Sequence, residues 1–276
     1  TTGTSYAGTA YTFTVQPSSM TLFSAGGNDQ GQLGDNTTVH RSSPIQIPGI
    51  DWKQTSWNRA EDGAVLAVKR DGTLWAWGAN TYGTLGQNDR AHRSSPIQVG
   101  SDSTWDNVGG GNETVFAWKT DGTVWGWGTG SAGELGVNDR AARSSPVQIP
   151  GTTWKSNASI AQGNADESSI LLKTDGTMWG MGEGSYGYLA QNNTTQYSSP
   201  VQVPGTTWAN VYSSSTWVLA TKTDGTLWGW GDNEAGELGQ NDKTQRSSPT
   251  QIPGDWNSPG SAISCSMSHN LVVKQL

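Results

Sequence analysis

The chain has 276 residues, of which 33% are hydrophobic, with 37 Gly and 15 Trp. Its net charge of −7 and pI near 4.9 argue against duplex DNA or an anionic membrane surface as a partner. No apolar run approaches the ~18 residues of a membrane span, and the lone Cys265 excludes a disulfide framework and a cysteine-rich metal site.

Residues 1–18 carry no repeat signature and read as a leading linker or an extra strand. Thr1 is not an initiator Met, so the chain is expected to be a processed product or a piece of something longer. Beyond residue 18 one unit recurs five times. A degenerate copy, SMTLFSAG, starts at Ser19. The clear copies are DGTLWAWG from Asp71, DGTVWGWG from Asp121, DGTMWGMG from Asp175 and DGTLWGWG from Asp224, spaced by 50, 54 and 49 residues. A second motif follows each: GQLGDN from Gly31, GTLGQN from Gly83, GELGVN from Gly133, GYLAQN from Gly187 and GELGQN from Gly236. A Ser-Ser-Pro then ends at Pro44, Pro96, Pro146, Pro200 and Pro249, and a Trp closes each unit at Trp52, Trp105, Trp154, Trp208 and Trp256.

Each unit reads as short strands. Residues 64–69 are apolar and β-prone, Asp71-Gly72 is a type I′ hairpin signal, and residues 74–77 form the returning strand. The Gly-rich stretch is a long connection with Pro at a strand edge. Ile45-Gln46-Ile47 alternates like a half-exposed outer strand. Units of this length with about four strands and Trp-Gly signatures predict an all-β fold, a β-propeller of about five blades of four-stranded antiparallel sheets over residues 19–276. Trp75, Trp125, Trp179 and Trp228 are expected to be buried between blades. The small residues Ala76, Gly126, Gly180 and Gly229 are expected to make room for a neighbour's Trp. The recurring Arg41, Arg93, Arg143 and Arg246 are expected to bridge blades by hydrogen bonds or ion pairs.

The two ends complement each other. Residues 270–274 match the strand before an Asp-Gly turn but lack the returning strand, and residues 21–25 match a returning strand with no predecessor. Their antiparallel pairing would close a five-bladed ring and remove two sheet edges.

The joint occurrence of DGTLWAWG and GANTYGTLGQND, five times over nearly the whole chain beyond residue 18, resembles the regulator of chromosome condensation repeat family. Known members usually have seven blades, so five is a departure. The resemblance implies a propeller but not one activity, because the family spans a GTPase exchange factor, an ultraviolet photoreceptor, a secreted β-lactamase inhibitor and repeats in phage and bacterial surface proteins. The near-identical copies and the Thr/Asn/Ser/Gly-rich composition look most like the last group.

No catalytic constellation stands out. His40, His92 and His269 have no convergent nucleophile or carboxylate beside them. The Asp/Asn-rich loops lack the spaced acids of a Ca²⁺ site, so no metal and no cofactor is expected. The copies differ most just before the first hairpin strand, at Glu61-Asp62, Asn112-Glu113-Thr114, Asp166-Glu167-Ser168, Ser215-Thr216-Trp217 and Met267-Ser268-His269. The resemblance implies that these loops line one ring face and carry partner contacts, and only His269 keeps the family's His. The candidate binding residues are therefore Glu61, Asp62, Asn112, Glu113, Thr114, Asp166, Glu167, Thr216, Trp217 and His269. Their carboxylates favour a cation or a basic partner surface.

The reading is a non-catalytic binding or structural module, a domain of a phage virion or bacterial surface protein that docks a protein or surface glycan. Nucleic acid and membrane insertion are not expected, and the setting is the virion or the extracellular cell surface. The alternative is a secreted inhibitor or scaffold acting through one propeller face. A GTPase exchange factor is the weakest reading, since no wedge-like insertion separates the repeats.

Overall fold

The computed structural model describes residues 19–57, 63–111, 113–156, 161–163, 167–254, 256, 263–265 and 270–272. Within them the chain is all β, apart from one 3₁₀ turn at Ser185–Gly187. The first pair of strands, β1 (Phe23–Gly26) and β2 (Arg41–Gln46), forms a two-stranded ladder. Four complete blades follow. The first holds β3 (Trp52–Trp57), β4 (Ala64–Lys69), β5 (Leu74–Gly78) and β6 (Arg93–Gln98). The second holds β7 (Trp105–Gly110), β8 (Thr114–Lys119), β9 (Val124–Gly128) and β10 (Arg143–Gln148). The third holds β11 (Ala161–Gly163), β12 (Ser168–Leu172), β13 (Met178–Gly182) and β14 (Tyr197–Gln202). The fourth holds β15 (Trp208–Ser213), β16 (Trp217–Lys222), β17 (Leu227–Gly231) and β18 (Arg246–Ile252). A last ladder pairs β19 (Ile263–Cys265) with β20 (Asn270–Val272).

Every complete blade is an antiparallel meander whose strands lie in chain order. The central hairpin is tightest at the Asp-Gly turn. Gly72 has φ +80°, and the Asp71 carboxylate accepts from the Thr73 amide at 3.0 Å and hydroxyl at 2.7 Å, so the turn is stapled by its own side chain. Asp121, Asp175 and Asp224 do the same with Thr123, Thr177 and Thr226.

The core lies between successive sheets. Leu66, Val68, Leu74 and Ala76 of the first blade pack with Trp105, Val108, Val115 and Trp127 of the second. Neither sheet has a buried face alone, so each blade needs its neighbour.

The two tryptophans of each returning strand behave differently from expectation. Trp77, Trp127 and Trp230 are fully buried, with Met181 in the same position, whereas Trp75, Trp125, Trp179 and Trp228 are only half-buried. The outer tryptophans sit near the turn, where each indole N–H donates to the turn's threonine at 2.8–3.1 Å. A lysine ammonium covers each outer ring. Lys69, Lys119, Lys173 and Lys222 lie 4.1–4.8 Å from the ring centroids of an outer Trp and of the Trp that opens the blade.

Two further expectations change. The small residues Gly126, Gly180 and Gly229 make room for Leu135, Leu189 and Leu238 of their own Gly-x-Leu loops; a Cβ there would meet those leucines at 3.2–3.3 Å. The arginines pair within their own loop. Arg41 meets Asp35, Arg93 meets Asp89, Arg143 meets Asp139 and Arg246 meets Asp242, at 2.5–2.7 Å. The spacing of only four to six residues explains it, since each guanidinium reaches across the connection it belongs to. In the third blade both partners change together, and the Asn193 amide donates to the Tyr197 hydroxyl at 3.2 Å.

Ring closure by residues 21–25 and 270–274 does not appear among the described residues. β1 pairs with β2, β20 pairs with β19, and the two ladders are separate sheets. β20 is described only over Asn270–Val272, so residues 273 and 274 of the expected pairing lie outside the described residues.

Candidate functional site

The variable loops enter the second strand of each blade at the rim opposite the Asp-Gly turns. There each loop is tied to the residue that leaves the third strand. The Thr129 amide donates to the Glu113 carbonyl at 2.9 Å, the Glu183 amide to the Glu167 carbonyl at 2.8 Å, and the Asp232 amide to the Thr216 carbonyl at 3.0 Å. The same bond in three successive blades places Glu113, Glu167 and Thr216 at equivalent positions on one rim. Side chains reinforce it. The Thr114 and Thr129 hydroxyls lie 3.2 Å apart, the Ser168 hydroxyl donates to the Glu183 carbonyl at 2.6 Å, and the Thr216 hydroxyl faces Asp232 Oδ2 at 3.5 Å.

Glu113 is half-buried and Glu167 is exposed, so both carboxylates can meet a partner. The structure adds acids that the sequence reading missed. Glu183 and Asp232 follow the Trp-Gly strand directly and are half-exposed on the same rim. Glu134, only 1% exposed, lies in the second blade's Gly-x-Leu loop, where its carboxylate accepts from the Ala132 amide at 2.9 Å. Burial pushes the Glu134 carboxyl above the usual range. Hydrogen bonds from its own amide, Ala132 and Thr129 oppose that, and the charge of Glu167 adds to it. That coupling links the loop of the second blade to the entry loop of the third. The signal was available, since the residue after each Trp-Gly strand also differs between copies (Ala79, Thr129, Glu183, Asp232).

Two candidates lose their role as contacts. Trp217 is fully buried in a cluster with Leu219, Leu227, Leu238 and Ile252, because it occupies the first inward position of β16. Thr114 is fully buried, with its hydroxyl turned to Thr129. Glu61, Asp62, Asn112, Asp166 and His269 lie outside the described residues. His40 and His92 each accept a backbone N–H through Nδ1, from Asn28 at 2.9 Å and Asn80 at 2.8 Å. They brace the long connections. Among the described residues no three His, Cys, Asp or Glu side chains gather as a metal site, and no helix is long and apolar enough to cross a membrane.

The model of the regulator of chromosome condensation (RCC1) repeat matches residues 71–118, 121–164 and 224–273, about half of the chain. The chain belongs to the RCC1 repeat family. Its structure agrees. The RCC1 propeller superposes with a TM-score of 0.70 on human WBSCR16, at 20% identity, over 92% of this chain and 67% of that one. Against Prp20p of Saccharomyces cerevisiae the TM-score is 0.66 at 19% identity, over 89% of this chain and 59% of the yeast chain. These likenesses carry the fold alone. In sequence, the chain is 34% identical over 90 residues to the X-linked retinitis pigmentosa GTPase regulator of Mus musculus. It is 36% identical over 76 residues to the ultraviolet-B receptor UVR8 of Arabidopsis thaliana. Those segments span 30% and 28% of this RCC1 chain but only 9% and 17% of the two relatives.

Proposed function

We propose that this chain is a non-catalytic docking propeller whose variable rim holds a basic protein surface, serving as a domain of a virion or cell-surface protein. One observation carries the reading. Glu113 and Glu167 stand at equivalent places on consecutive blades, tied there by the same backbone bond, with Glu183 and Asp232 beside them. Like charges held on a rigid rim attract a complementary surface and steer its approach. A protein is favoured over a glycan because the ring that would have stacked on a sugar, Trp217, is buried. Prp20p has been studied for its binding to Gsp1p and histones, which supports protein docking by propellers of this shape. The Ser/Thr/Asn/Gly-rich surface supports the virion or cell-surface setting, and virion genes flanking its reading frame would strengthen it.

The test uses a lysine-rich histone as the basic probe, with biolayer interferometry at several salt concentrations. Binding should weaken with salt. Reversing Glu113→Lys and Glu167→Lys together should weaken it by roughly tenfold or more and flatten the salt dependence. Binding unaltered by that double change would remove the rim as the docking site.

A further inference from the structure

A lysine held between two tryptophans recurs in every complete blade, and strand register builds it. The Trp that opens the blade stands directly across the ladder from the lysine, as Trp105 with Lys119, Trp154 with Lys173 and Trp208 with Lys222. The ammonium then lies 4.7–4.8 Å from the centroid of that ring and 4.1–4.5 Å from that of the outer Trp. Two aromatic faces fix the charged head in nearly the same pose each time.

In the second blade this clamp has a further member. The Asp102 carboxylate accepts from the Lys119 ammonium at 2.5 Å, while its other oxygen accepts from the Thr104 amide and hydroxyl. Counted back from the opening Trp, Asp102 is the third residue, and the same place holds Gly151 in the third blade and Gly205 in the fourth. Each glycine follows a proline at φ +99 to +106°, a conformation that explains the glycine without moving the lysine. A Cβ on Gly151 would stand 3.4 Å from Lys173 Nζ, and one on Gly205 3.5 Å from Lys222 Nζ. This position therefore faces the lysine in all three blades, and two of them supply no carboxylate from it. The turn acids do not substitute, because Asp175 and Asp224 accept from Thr177 and Thr226 at 2.7–3.0 Å. Among the described residues Lys173 and Lys222 form no ion pair. A second donor lies beside the first. The Trp154 indole N–H is buried without an acceptor among the described residues, and its Nε1 is 3.6 Å from the same Cβ position of Gly151. Both clamps sit between described blades. Trp154 and Trp179 pack with Trp118 and Val124 of the second blade, and Trp208 and Trp228 with Leu172 and Met178 of the third.

We propose that the Lys173 and Lys222 clamps, on the rim opposite the variable loops, each bind a carboxylate of an acidic polypeptide, in the manner in which Asp102 meets Lys119. The ammonium is already held on its rings, so little side-chain freedom is lost on binding. Two clamps on consecutive blades favour a chain with several carboxylates over a lone small acid, because the second contact is then intramolecular.

The probe is an immobilised octaglutamate peptide, with octaglutamine as the uncharged control, read by biolayer interferometry at low salt. The chain should bind octaglutamate and not octaglutamine. Lys173→Met with Lys222→Met keeps the stems on the rings and removes both charges, and should weaken binding by roughly tenfold or more. Lys243→Met, at an exposed lysine outside the clamps, should leave binding nearly unchanged. Gly151→Asp with Gly205→Asp should abolish it by giving each lysine a carboxylate of its own chain. Asp102→Ala exposes the Lys119 clamp and should strengthen binding by roughly twofold. Melting curves of the variants separate lost binding from lost folding, and the Asp102 change stands even where the strained glycine positions do not tolerate Asp. Absence of octaglutamate binding, equal losses from the clamp and Lys243 changes, or binding that Asp102→Ala leaves unaltered would each overturn the proposal.

Discussion

The second blade and the first two strands are built from the same sequence unit, yet they bury it differently. In the second blade Trp127 is fully buried, Trp125 is half-covered by Lys119, and Trp105 lies 6.2 and 6.5 Å from those two rings. In the first ladder the counterpart of Trp125 is Phe23, which is 55% exposed, and the counterpart of Trp127 is the exposed Ala25. The difference lies in the neighbours. In the second blade the outer Trp125 is half-buried, with Lys119 of the strand before it over its ring and the opening Trp105 beside it. Stability in such an array is a sum of repeat and interface terms, and the first ladder lacks one inner partner.

The sharpest way to break this comparison is to truncate the two aromatics. Trp127→Ala should cost about 3–5 kcal/mol, since it leaves an indole-sized cavity and the Thr84 carbonyl without its donor. Phe23→Ala should cost under about 1 kcal/mol, because the ring is mostly in water. Urea unfolding of both variants decides it, and similar losses would mean that β1 is packed as fully as β9.

The next effect isolates the interface from backbone strain. Gly133 and Gly236 share a left-handed conformation, φ +83° and +91°, so an added Cβ strains both. Only Gly133 also has the Ser198 Cα 2.6 Å from that Cβ. Gly133→Ala should therefore cost about 1–3 kcal/mol more than Gly236→Ala. Equal costs in parallel denaturation curves would show that the fifth loop is covered as well.

The architecture was legible in the sequence because a repeat is a strong signal. Asp-Gly turns, paired tryptophans and Ser-Ser-Pro strands each recur at blade spacing, and those residues do form the ladders. What was not legible was which neighbour each side chain meets. Trp75 and Trp77 alternate onto the same face in any strand, and only the position of the preceding loop decides that Trp77 is sealed while Trp75 stays half-open. Pairing of the arginines within their loops likewise depends on how a connection folds back. For the rim, the variable loops at Glu113 and Glu167 do hold equivalent places beside the third strand's exit. Trp217 was misread because it stands at the boundary of loop and strand, where a shift of one residue exchanges solvent for core.

A smaller effect separates the lysine clamps. Lys69 and Lys119 each lie over two tryptophans, but Lys119 also meets Asp102 at 2.5 Å. The Lys119 ammonium, with the Thr104 hydroxyl and amide, holds the Asp102 carboxyl down at about 2. A depressed carboxyl contributes stability that is present above its unfolded value, near 4, and is lost as pH falls through about 2. Asp102 is 37% exposed, so the solvent-screened pair contributes on the order of 1 kcal/mol or less. Lys119→Met should lose about 1–2 kcal/mol at neutral pH and Lys69→Met somewhat less. The gap between them should close as the pH is lowered from 4 to 2. A gap that persists at pH 2 would assign the difference to packing instead of charge.

The smallest effect concerns Glu134, the buried acid of the second blade's Gly-x-Leu loop. Its carboxyl is raised chiefly by burial, so the charged form is disfavoured in the folded state relative to the unfolded chain. The sign is opposite to that of Asp102. A raised carboxyl costs stability when ionised, and the cost fades as pH falls through the folded value and the proton is taken up. Glu134→Gln keeps an oxygen to accept from the Ala132 amide and removes the charge beside Glu167. At pH 7 the variant should melt about one or two degrees higher than the wild type. The advantage should shrink when both are melted at mildly acidic pH, where the wild-type carboxyl is protonated. A variant that melts lower at pH 7 would show that the glutamate's charge supports the loop.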